Sequence, residues 1–320
     1  MLKEISVEIT RRCPNCCMHC SSSANSGCSE TMPYETFQAV ALDASKLGAR
    51  TICLSGGEPF LHNQIVDMVR FVRSLGMDCY VYTSGIALDS SSQLDSLPPE
   101  QLQQLSGVVT KLIFNIEAGT EPIYNRIMGT TGCFGLLQQS ALQAAAMGIC
   151  TEAHFVPMAL NLQEIPAVIC LCEELHISRL SFLRLVLHGR AEQNCGALAL
   201  SEEKQEELKT YLHQLQTQSN LAIRVGVPLS VDNGCHRCEA ARGKLNIRYD
   251  GKVFPCEVFK NRCLQKSLGE LEADSIYQHS LFDIYHQSPY LACVRELSEK
   301  FSNRCETCVG QYLIEGEGKA

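Results

Sequence analysis

The sequence contains no tryptophan, and it carries fewer positive than negative charges. Its 320 residues include 27 Lys and Arg against 35 Asp and Glu, which gives a formal net charge of −8. A binding surface built on indole rings is therefore excluded, and nothing resembles the basic footprint of a nucleic-acid-binding protein. No apolar run reaches the roughly 18 residues that a membrane span needs. We expect no nucleic-acid partner and no membrane.

A secretory signal is also missing. Residues 1–10 carry Lys3, Glu4 and Glu8 and have no apolar h-region. Cysteine, in contrast, is abundant, with 19 residues. In a reducing cytoplasm such cysteines are metal ligands or free thiols more often than disulfides. Because exposed thiolates oxidise, this composition also suggests an anaerobic setting.

The first 190 residues alternate short β-like runs with amphipathic stretches. The predicted strands are 5–10, 50–55, 78–83, 111–117, 150–157 and 179–186. The predicted helices include 33–47, 63–75, 136–147, 162–175 and, further on, 201–218. The polar stretch 89–99 is predicted to be a loop. Six strands alternating with helices imply an α/β fold with parallel pairing and right-handed crossovers. An open sheet and an incomplete barrel both satisfy this pattern, and both place the reactive site at the carboxyl ends of the strands.

The character of the chain changes after Gly189. Turn residues and cysteines dominate from Val231 onward, and the run 246–255 reads as a hairpin around Asp250-Gly251. We place a domain boundary near Pro228. The prediction is a core domain over 1–227 and a small Cys-rich domain over 228–320.

Three cysteines directly follow the first strand. Cys13, Cys17 and Cys20 have the spacing C-x3-C-x2-C. Three thiolates on one loop can hold three irons of a [4Fe–4S] cube and leave the fourth iron open. The alternative is a closed zinc knuckle that pairs Cys13 with Cys16 and Cys17 with Cys20.

A Gly-Gly-Glu-Pro segment lies at the end of the second strand, at Gly56, Gly57, Glu58 and Pro59. Glycines at a strand end allow a close backbone approach, and a zinc knuckle does not predict them. Together with the cysteine loop, this segment resembles the radical S-adenosylmethionine (SAM) superfamily. The resemblance implies a partial (βα)6 barrel. It also implies that SAM binds the open iron and is cleaved reductively to a 5′-deoxyadenosyl radical, which abstracts a hydrogen atom from substrate.

The resemblance also implies which residues contact SAM. Gly56, Gly57 and Glu58 would receive its amino group, while Ser84, Asn115 and Glu117 match further SAM-contacting segments. Related enzymes have an arginine just before a glycine where this chain has Met128. Arg126 or Arg184 would then bind the SAM carboxylate. Cys16 falls outside the pattern and is predicted to be a spare thiol. The full set of predicted cofactor-binding residues is Gly56, Gly57, Glu58, Pro59, Ser84, Asn115, Glu117 and Arg126.

A second cysteine set lies in the last third of the chain, at Cys238, Cys256, Cys305 and Cys308. Residues 246–256 resemble the hairpin of the SPASM and twitch subfamilies, whose modules hold auxiliary [4Fe–4S] clusters. The chain ends twelve residues after Cys308 without another cysteine, so we expect a twitch-like module with one auxiliary cluster. A four-thiolate zinc site is the alternative, and Cys235 competes as a ligand.

Catalytic residues are predicted less directly. Arg184 is the preferred cation of the barrel interior, and Arg190 is a candidate substrate anchor. Cys263 and Cys293 are candidate hydrogen-atom donors to the substrate.

The predicted function is a cytoplasmic radical SAM enzyme that modifies a ribosomally synthesised peptide by crosslinking, epimerisation or oxidation. We expect a flavodoxin- or ferredoxin-type electron donor. The alternatives are a radical SAM dehydrogenase or oxidase of a small molecule or cofactor precursor, and a non-catalytic zinc or iron–sulfur protein.

Overall fold

The architecture is that of a large parallel sheet covered by helices. The computed structural model describes residues 1–231, 238–261, 264, 268–269, 271–301, 308–310 and 313. The strands are β1 (Glu4–Thr10), β2 (Thr51–Gly56), β3 (Asp78–Thr83), β4 (Ile86–Leu88), β5 (Leu94–Ser96), β6 (Lys111–Asn115), β7 (Thr151–Phe155), β8 (Arg179–Phe182), β9 (Ala222–Val225), β10 (Lys244–Ile247) and β11 (Val253–Phe254). The helices are α1 (Tyr34–Lys46), α2 (Ile65–Ser74), α3 (Pro99–Leu105), α4 (Glu121–Met128), α5 (Phe134–Ala146), α6 (Ile165–Glu174), α7 (Arg190–Gln193), α8 (Cys195–Leu198), α9 (Glu202–Gln218), α10 (Leu281–Gln287) and α11 (Pro289–Phe301).

The nine-stranded sheet has the order β11-β10-β1-β2-β3-β6-β7-β8-β9. All neighbours in it are parallel except β10 and β11. The six predicted strands therefore exist and pair in chain order, which confirms the α/β fold and its parallel sheet. Because the order does not return from β9 to β11 in the described residues, the sheet stays open, as in a partial barrel.

Apolar side chains such as Val7, Leu54 and Val81 fill one face of the parallel strands, whereas the other face carries polar side chains such as Glu152 and His154. Helix α1 buries Phe37, Val40 and Ala44 against this core. Within the described residues, no helix combines the length and the apolar character that crossing a bilayer needs.

Two local predictions need correction. The polar stretch after Leu88, predicted to be a loop, contains a short hairpin in which β4 pairs with β5. The Asp89 carboxylate closes its turn by accepting bonds from the backbone N–H groups of Ser91 and Gln93, both at 2.8 Å. The predicted sixth strand is shorter than expected, because β8 ends at Phe182. Arg184 therefore lies beyond the strand, in the segment that leaves its carboxyl end.

The sheet continues across the predicted boundary near Pro228. Strand β10 pairs in parallel with β1, in a register that places Asn246 opposite Ser6. The predicted hairpin is confirmed: β10 and β11 are antiparallel, and Gly251 takes the left-handed conformation that the Asp-Gly turn needs, with φ of 79°. The Cys-rich region is thus joined to the core domain by sheet hydrogen bonds.

Candidate active site

The first cysteine loop begins where β1 ends. Two short bridges, Thr10 to Thr31 and Arg12 to Asn25, close the loop at its base. Burial raises the pKa of the Cys17 thiol well above its ordinary value, and the nearby Cys13 and Cys20 thiols raise it further. Three thiols therefore face one region, as the spacing predicts. Such a site favours thiols or metal-bound sulfur over free thiolates.

Cys16 differs from its neighbours in the loop. Its side chain is exposed, whereas Cys13 is buried. Its backbone N–H donates to the Met128 carbonyl at 3.0 Å. This placement agrees with the prediction that Cys16 is a spare thiol.

The carboxyl end of α4 supports the loop from one side. The backbone N–H of Met18 donates to the Ile127 carbonyl at 2.8 Å. Gly129 caps α4 in the left-handed conformation, with φ of 64°, and a Cβ there would lie 2.4 Å from the Cys16 carbonyl oxygen. Met128 sits at the position where related enzymes have arginine, and its sulfur lies 3.7 Å from the Cys17 sulfur. Arg126 is exposed on α4.

Arg190 supports the loop from the other side. Its Nε donates to the Cys17 carbonyl at 2.8 Å, and its Nη2 donates to the Ala24 carbonyl at 2.7 Å. Its backbone N–H donates to the Cys20 carbonyl at 3.0 Å. These three bonds engage Arg190 with the loop, which favours a role in holding the cysteines over the predicted role in anchoring substrate.

The Gly56-Gly57 pair presses against the start of the loop. The backbone N–H of Gly57 donates to the Thr10 carbonyl at 2.7 Å. A Cβ on Gly56 would lie 2.1 Å from that oxygen, and one on Gly57 would lie 2.1 Å from the Arg12 carbonyl oxygen. The two glycines were expected to let a ligand approach the backbone. In the structure they let the chain's own loop approach it.

Glu58 joins β2 to β3 through a buried carboxylate. It accepts bonds from the Thr83 hydroxyl at 2.8 Å, the Ser84 backbone N–H at 2.8 Å and the Ser84 hydroxyl at 2.6 Å. Burial raises the pKa of Glu58, and these hydrogen bonds oppose the increase. Pro59 follows at the first position of a short 3-10 turn. Two of the predicted SAM-contacting segments are therefore brought together at Glu58.

Glu117 lies beyond the end of β6 and is fully buried. Its Oε2 accepts the Val156 backbone N–H at 3.0 Å, and its Oε1 lies 3.3 Å from His19 Nε2. The side-chain amide of Asn161 donates to the Glu117 carbonyl at 2.9 Å. Asn115 is partly exposed at the carboxyl end of β6, where it stands opposite His154.

Sequence reasoning missed His19. The residue lies between Cys17 and Cys20, and its position inside C-x2-C was the available signal, because any side chain there must lie beside the thiols. Among the described residues, the buried Nδ1 of His19 has no hydrogen-bond partner, whereas its Nε2 faces Oε1 of Glu117 at 3.3 Å. Buried polar atoms without partners are rare in folded proteins. The position of this nitrogen beside the three thiols fits a polar ligand such as SAM.

The second cysteine set converges in part. Burial raises the pKa of the Cys256 thiol to about 12, with further contributions from Cys308 and Cys238. The backbone N–H of Ala241 donates to the Pro255 carbonyl at 3.0 Å, which ties the Cys238 segment to the Cys256 segment.

The remaining cysteine predictions are tested only in part. Three of these cysteines lie outside the described residues, namely Cys235, Cys263 and Cys305. Cys293 is partly buried on α11, where burial and the Glu296 charge raise its pKa. The proposed hydrogen-atom donors therefore stay predictions.

Arg184 does not lie alone in the interior of the barrel. Its Nη2 lies within hydrogen-bond distance of the Cys308 sulfur, at 3.4 Å. The residue is partly exposed. The predicted barrel cation is thus in contact with the second cysteine set.

A buried ion pair joins the two cysteine regions. Lys260, 1% exposed, contacts the Glu8 carboxylate and lies 2.5 Å from Glu257 Oε2. Glu8 also accepts the Ser22 hydroxyl at 2.6 Å. Burial alone would lower the pKa of Lys260, but the charges of Glu257 and Glu8 raise it above its ordinary value. Through Ser22 on one side and Glu257 on the other, the pair links the first loop to the residue that follows Cys256.

The donor chemistry at both places fits iron–sulfur clusters, because such clusters are held by Cys thiolates and three described cysteines converge at each place. Three thiolates on the first loop would leave one iron of a [4Fe–4S] cube open.

Comparison with known proteins supports this assignment. Residues 7–163 match the model of the radical SAM superfamily, and residues 238–309 match the model of the SPASM iron–sulfur cluster-binding domain. The PqqA peptide cyclase of Ruegeria pomeroyi is 26% identical over 306 residues, which cover 94% of this chain and 78% of the cyclase. The Fe-coproporphyrin III synthase of Methanosarcina barkeri is 23% identical over 305 residues, covering 91% of this chain and 73% of the synthase.

A solved structure shares the fold. SuiB of Streptococcus suis, determined with bound SAM, superposes with a TM-score of 0.73 at 16% identity, covering 93% of this chain and 68% of SuiB. SuiB has also been determined with its precursor peptide SuiA. The fold, the cysteine loop and the two matched regions agree with one another. The chain belongs to the radical SAM superfamily and carries a SPASM iron–sulfur cluster-binding domain.

Proposed function

We propose that this enzyme cleaves SAM reductively at a [4Fe–4S] cluster on Cys13, Cys17 and Cys20 and modifies a ribosomally synthesised peptide. The product would be a crosslink, an epimerised residue or an oxidised side chain. The observation that carries the proposal is the convergence of these three thiols beside the unpartnered buried Nδ1 of His19 and the buried Glu117 carboxylate. A relative that is a peptide cyclase, and a structural neighbour solved with a precursor peptide, favour the peptide as substrate class.

The residues around the loop take distinct roles in this proposal. When bound by Cys13, Cys17 and Cys20, a [4Fe–4S] cluster would supply the one-electron reduction that cleaves SAM. Gly56, Gly57 and Glu58 orient the amino group of SAM, and Asn115 with Glu117 contacts its ribose and methionyl end. The backbone bonds from α4 and Arg190 hold the thiols in place, and preorganised positioning of this kind lowers the barrier to reaction.

The auxiliary site would hold a second [4Fe–4S] cluster on Cys238, Cys256, Cys305 and Cys308. Four protein thiolates would close that cluster, so its role would be electron transfer or structural support rather than substrate binding. The domain boundary near residue 228 remains a prediction, and the matched SPASM region begins ten residues later.

The 19 cysteines and the two clusters require a reducing environment. We therefore assign the enzyme to the cytoplasm, where a flavodoxin- or ferredoxin-type protein would supply the electron for SAM cleavage. Anaerobic conditions would protect both clusters from oxidation.

A second candidate substrate is a small molecule or a cofactor precursor. The 23% identity to a synthase of Fe-coproporphyrin III favours it. In this case the same cluster would generate the same radical, and a single auxiliary cluster would suit a two-electron oxidation. Only the molecule presented to the radical would differ.

The experiment is anaerobic reconstitution followed by metal counting, a 5′-deoxyadenosine assay and mass spectrometry of a candidate peptide. The peptide would be one encoded beside this gene. We expect about eight irons per chain, 5′-deoxyadenosine and a mass change in the peptide. Turnover without any change in the peptide, but with oxidation of a small molecule, would favour the second candidate.

Two neighbouring cysteines provide the matched control. Cys17→Ala should abolish SAM cleavage and leave about four irons per chain, because it removes a ligand of the first cluster. Cys16→Ser should keep both the iron and the cleavage, because Cys16 is exposed, whereas Cys13 is buried. Zinc in place of iron, with no 5′-deoxyadenosine from the unaltered protein, would refute the proposed function.

A further inference from the structure

One segment connects the two cysteine sites. It begins at Arg184, just beyond β8, and ends at Arg190, the first residue of α7. Arg184 contacts Cys308 of the auxiliary site, and Arg190 binds the backbone of the first cysteine loop. Between them, the Leu187 carbonyl accepts the Asn261 side-chain amide at 2.7 Å. The six residues that follow Arg184 therefore span from one proposed cluster to the other.

Cys308 is fixed on the auxiliary side of this contact. Its neighbour Val309 is fully buried. A Cβ on Gly310 would lie 2.8 Å from the Val258 side chain, so this part of the chain packs tightly against the turn that follows Cys256. Arg184 thus contacts a sulfur whose backbone is packed against the rest of the domain.

The positive charge of Arg184 would affect the reduction potential of a cluster bound to Cys308. A guanidinium remains protonated at all ordinary pH values and offers several N–H donors. Hydrogen bonds to the sulfurs of an iron–sulfur cluster and the net charge around it set its reduction potential. A cation beside a cluster stabilises the reduced form, which carries one more negative charge, and so raises the potential.

We propose that Arg184 is a positioning residue of the auxiliary cluster that holds its reduction potential up by donating a hydrogen bond to Cys308. The proposal rests on the proposed function, because it requires the auxiliary cluster. It assigns Arg184 to the second cluster rather than to the carboxylate of SAM, for which Arg126 was the other candidate. One short segment then carries both Arg184, which affects the reduction potential of the auxiliary cluster, and Arg190, which holds the first cysteine loop in position.

The test is a potential measured on the auxiliary cluster alone. Changing Cys13, Cys17 and Cys20 together to Ala removes the first cluster, and the remaining cluster can be titrated anaerobically with detection by electron paramagnetic resonance. In this background, Arg184→Gln should lower the ratio of reduced to oxidised cluster at a fixed potential by about tenfold. This corresponds to about 59 mV for a one-electron couple. Arg184→Lys should give a smaller decrease, because it keeps the charge and loses the planar fork.

Arg70→Gln is the control, since Arg70 is exposed on α2 and should leave the ratio unchanged. About four irons per chain with an unchanged potential in Arg184→Gln would overturn the proposal. If Arg184→Gln loses its iron, Arg184→Lys decides, and an unchanged potential there would overturn the proposal as well. A folded background variant without iron would refute the auxiliary cluster itself and this inference with it. If the background variant keeps about four irons per chain and Arg184→Gln leaves the potential unchanged, only this inference fails and the proposed auxiliary cluster stands.

Discussion

The first cysteine site takes its three thiols from eight consecutive residues, whereas the auxiliary site takes its described thiols from Cys238, Cys256 and Cys308. In the first site, the backbone between the cysteines is bound directly by α4 and by Arg190. In the second, separate segments are brought together by a sheet, a hairpin and the buried Lys260. A local loop and a tertiary assembly thus provide the same kind of ligand by different means.

This difference predicts which changes harm which site. A local loop fails when its backbone supports are displaced, and the fold around it can survive. An assembly of distant segments fails when the domain junction is destabilised, because no short stretch holds its ligands together. In the described part of the chain, the polar face of the sheet contains none of the cysteines of either site, so a change there provides a reference for both.

The largest effect should come from Gly129→Ala. The added Cβ would lie 2.4 Å from the Cys16 carbonyl oxygen, and the residue has a positive φ, so the first loop must move. A displacement of about 1 Å at a reacting centre costs about 100-fold in rate. We expect at least that loss in 5′-deoxyadenosine formation, with the iron count falling toward four per chain.

Gly132→Ala is the matched control for this variant. Gly132 has a φ of 76°, but no atom lies within 4 Å of the added Cβ. It should therefore cost only the conformational strain, roughly 1–2 kcal/mol of unfolding free energy, and keep SAM cleavage. If the two variants behave alike, the loop does not depend on the α4 cap, and the contrast between the sites would be weakened.

The second-largest effect concerns the junction between the two cysteine regions, where Lys260 pairs with Glu8. Lys260→Met removes the cation that faces the buried Glu8 and leaves that carboxylate without its charge partner. Removing one member of a buried pair typically destabilises a protein by 3–5 kcal/mol. We expect a loss in this range from chemical denaturation of the reconstituted protein, with iron lost from the auxiliary site.

The double variant Glu8→Gln with Lys260→Met should recover part of the stability, because no unpaired charge then stays buried. Lys209→Met serves as the control, since Lys209 pairs with Glu206 on the surface of α9 and such pairs contribute about 1 kcal/mol or less. A Lys260→Met protein as stable as the Lys209→Met protein would show that the junction does not hold the auxiliary site.

The smallest effect should come from the polar face of the sheet. Burial lowers the pKa of His154 to about 3, and the charges of Arg224 and Lys111 contribute to the decrease. The unfolded chain has an ordinary histidine pKa near 6.5, so it binds more protons than the folded chain between about pH 3 and 6.5. Stability is therefore present above this range and decreases as the pH falls through it.

From pH 7 to pH 5, His154 should account for a loss of about 2 kcal/mol in unfolding free energy. The measurement compares His154→Gln with the unaltered protein at both pH values, and the variant should lose about that much less. His213→Gln, on the exposed face of α9, should follow the unaltered protein. Equal pH dependence in all three proteins would contradict the assignment of a neutral His154 in the interior.

Much of the fold could be predicted because its signals are local. The alternation of apolar runs and helical repeats located the strands of the parallel sheet, and Asp250-Gly251 located the hairpin. The β4–β5 hairpin escaped prediction because its strands are only three residues long and its turn depends on one side chain, Asp89. The end of β8 at Phe182 was missed because apolar residues continue beyond it.

The candidate site divides in the same way. The sequence alone determined the cysteine loop, its spacing and its neighbouring Gly-Gly-Glu-Pro segment, because ligands within eight residues of one another must lie close in space. Only the tertiary structure decided that Arg190 holds that loop, that His19 meets Glu117 and that Arg184 meets Cys308. These pairs are separated by 98 to 173 residues in the chain, and no local pattern encodes which distant side chains the folded sheet brings into contact.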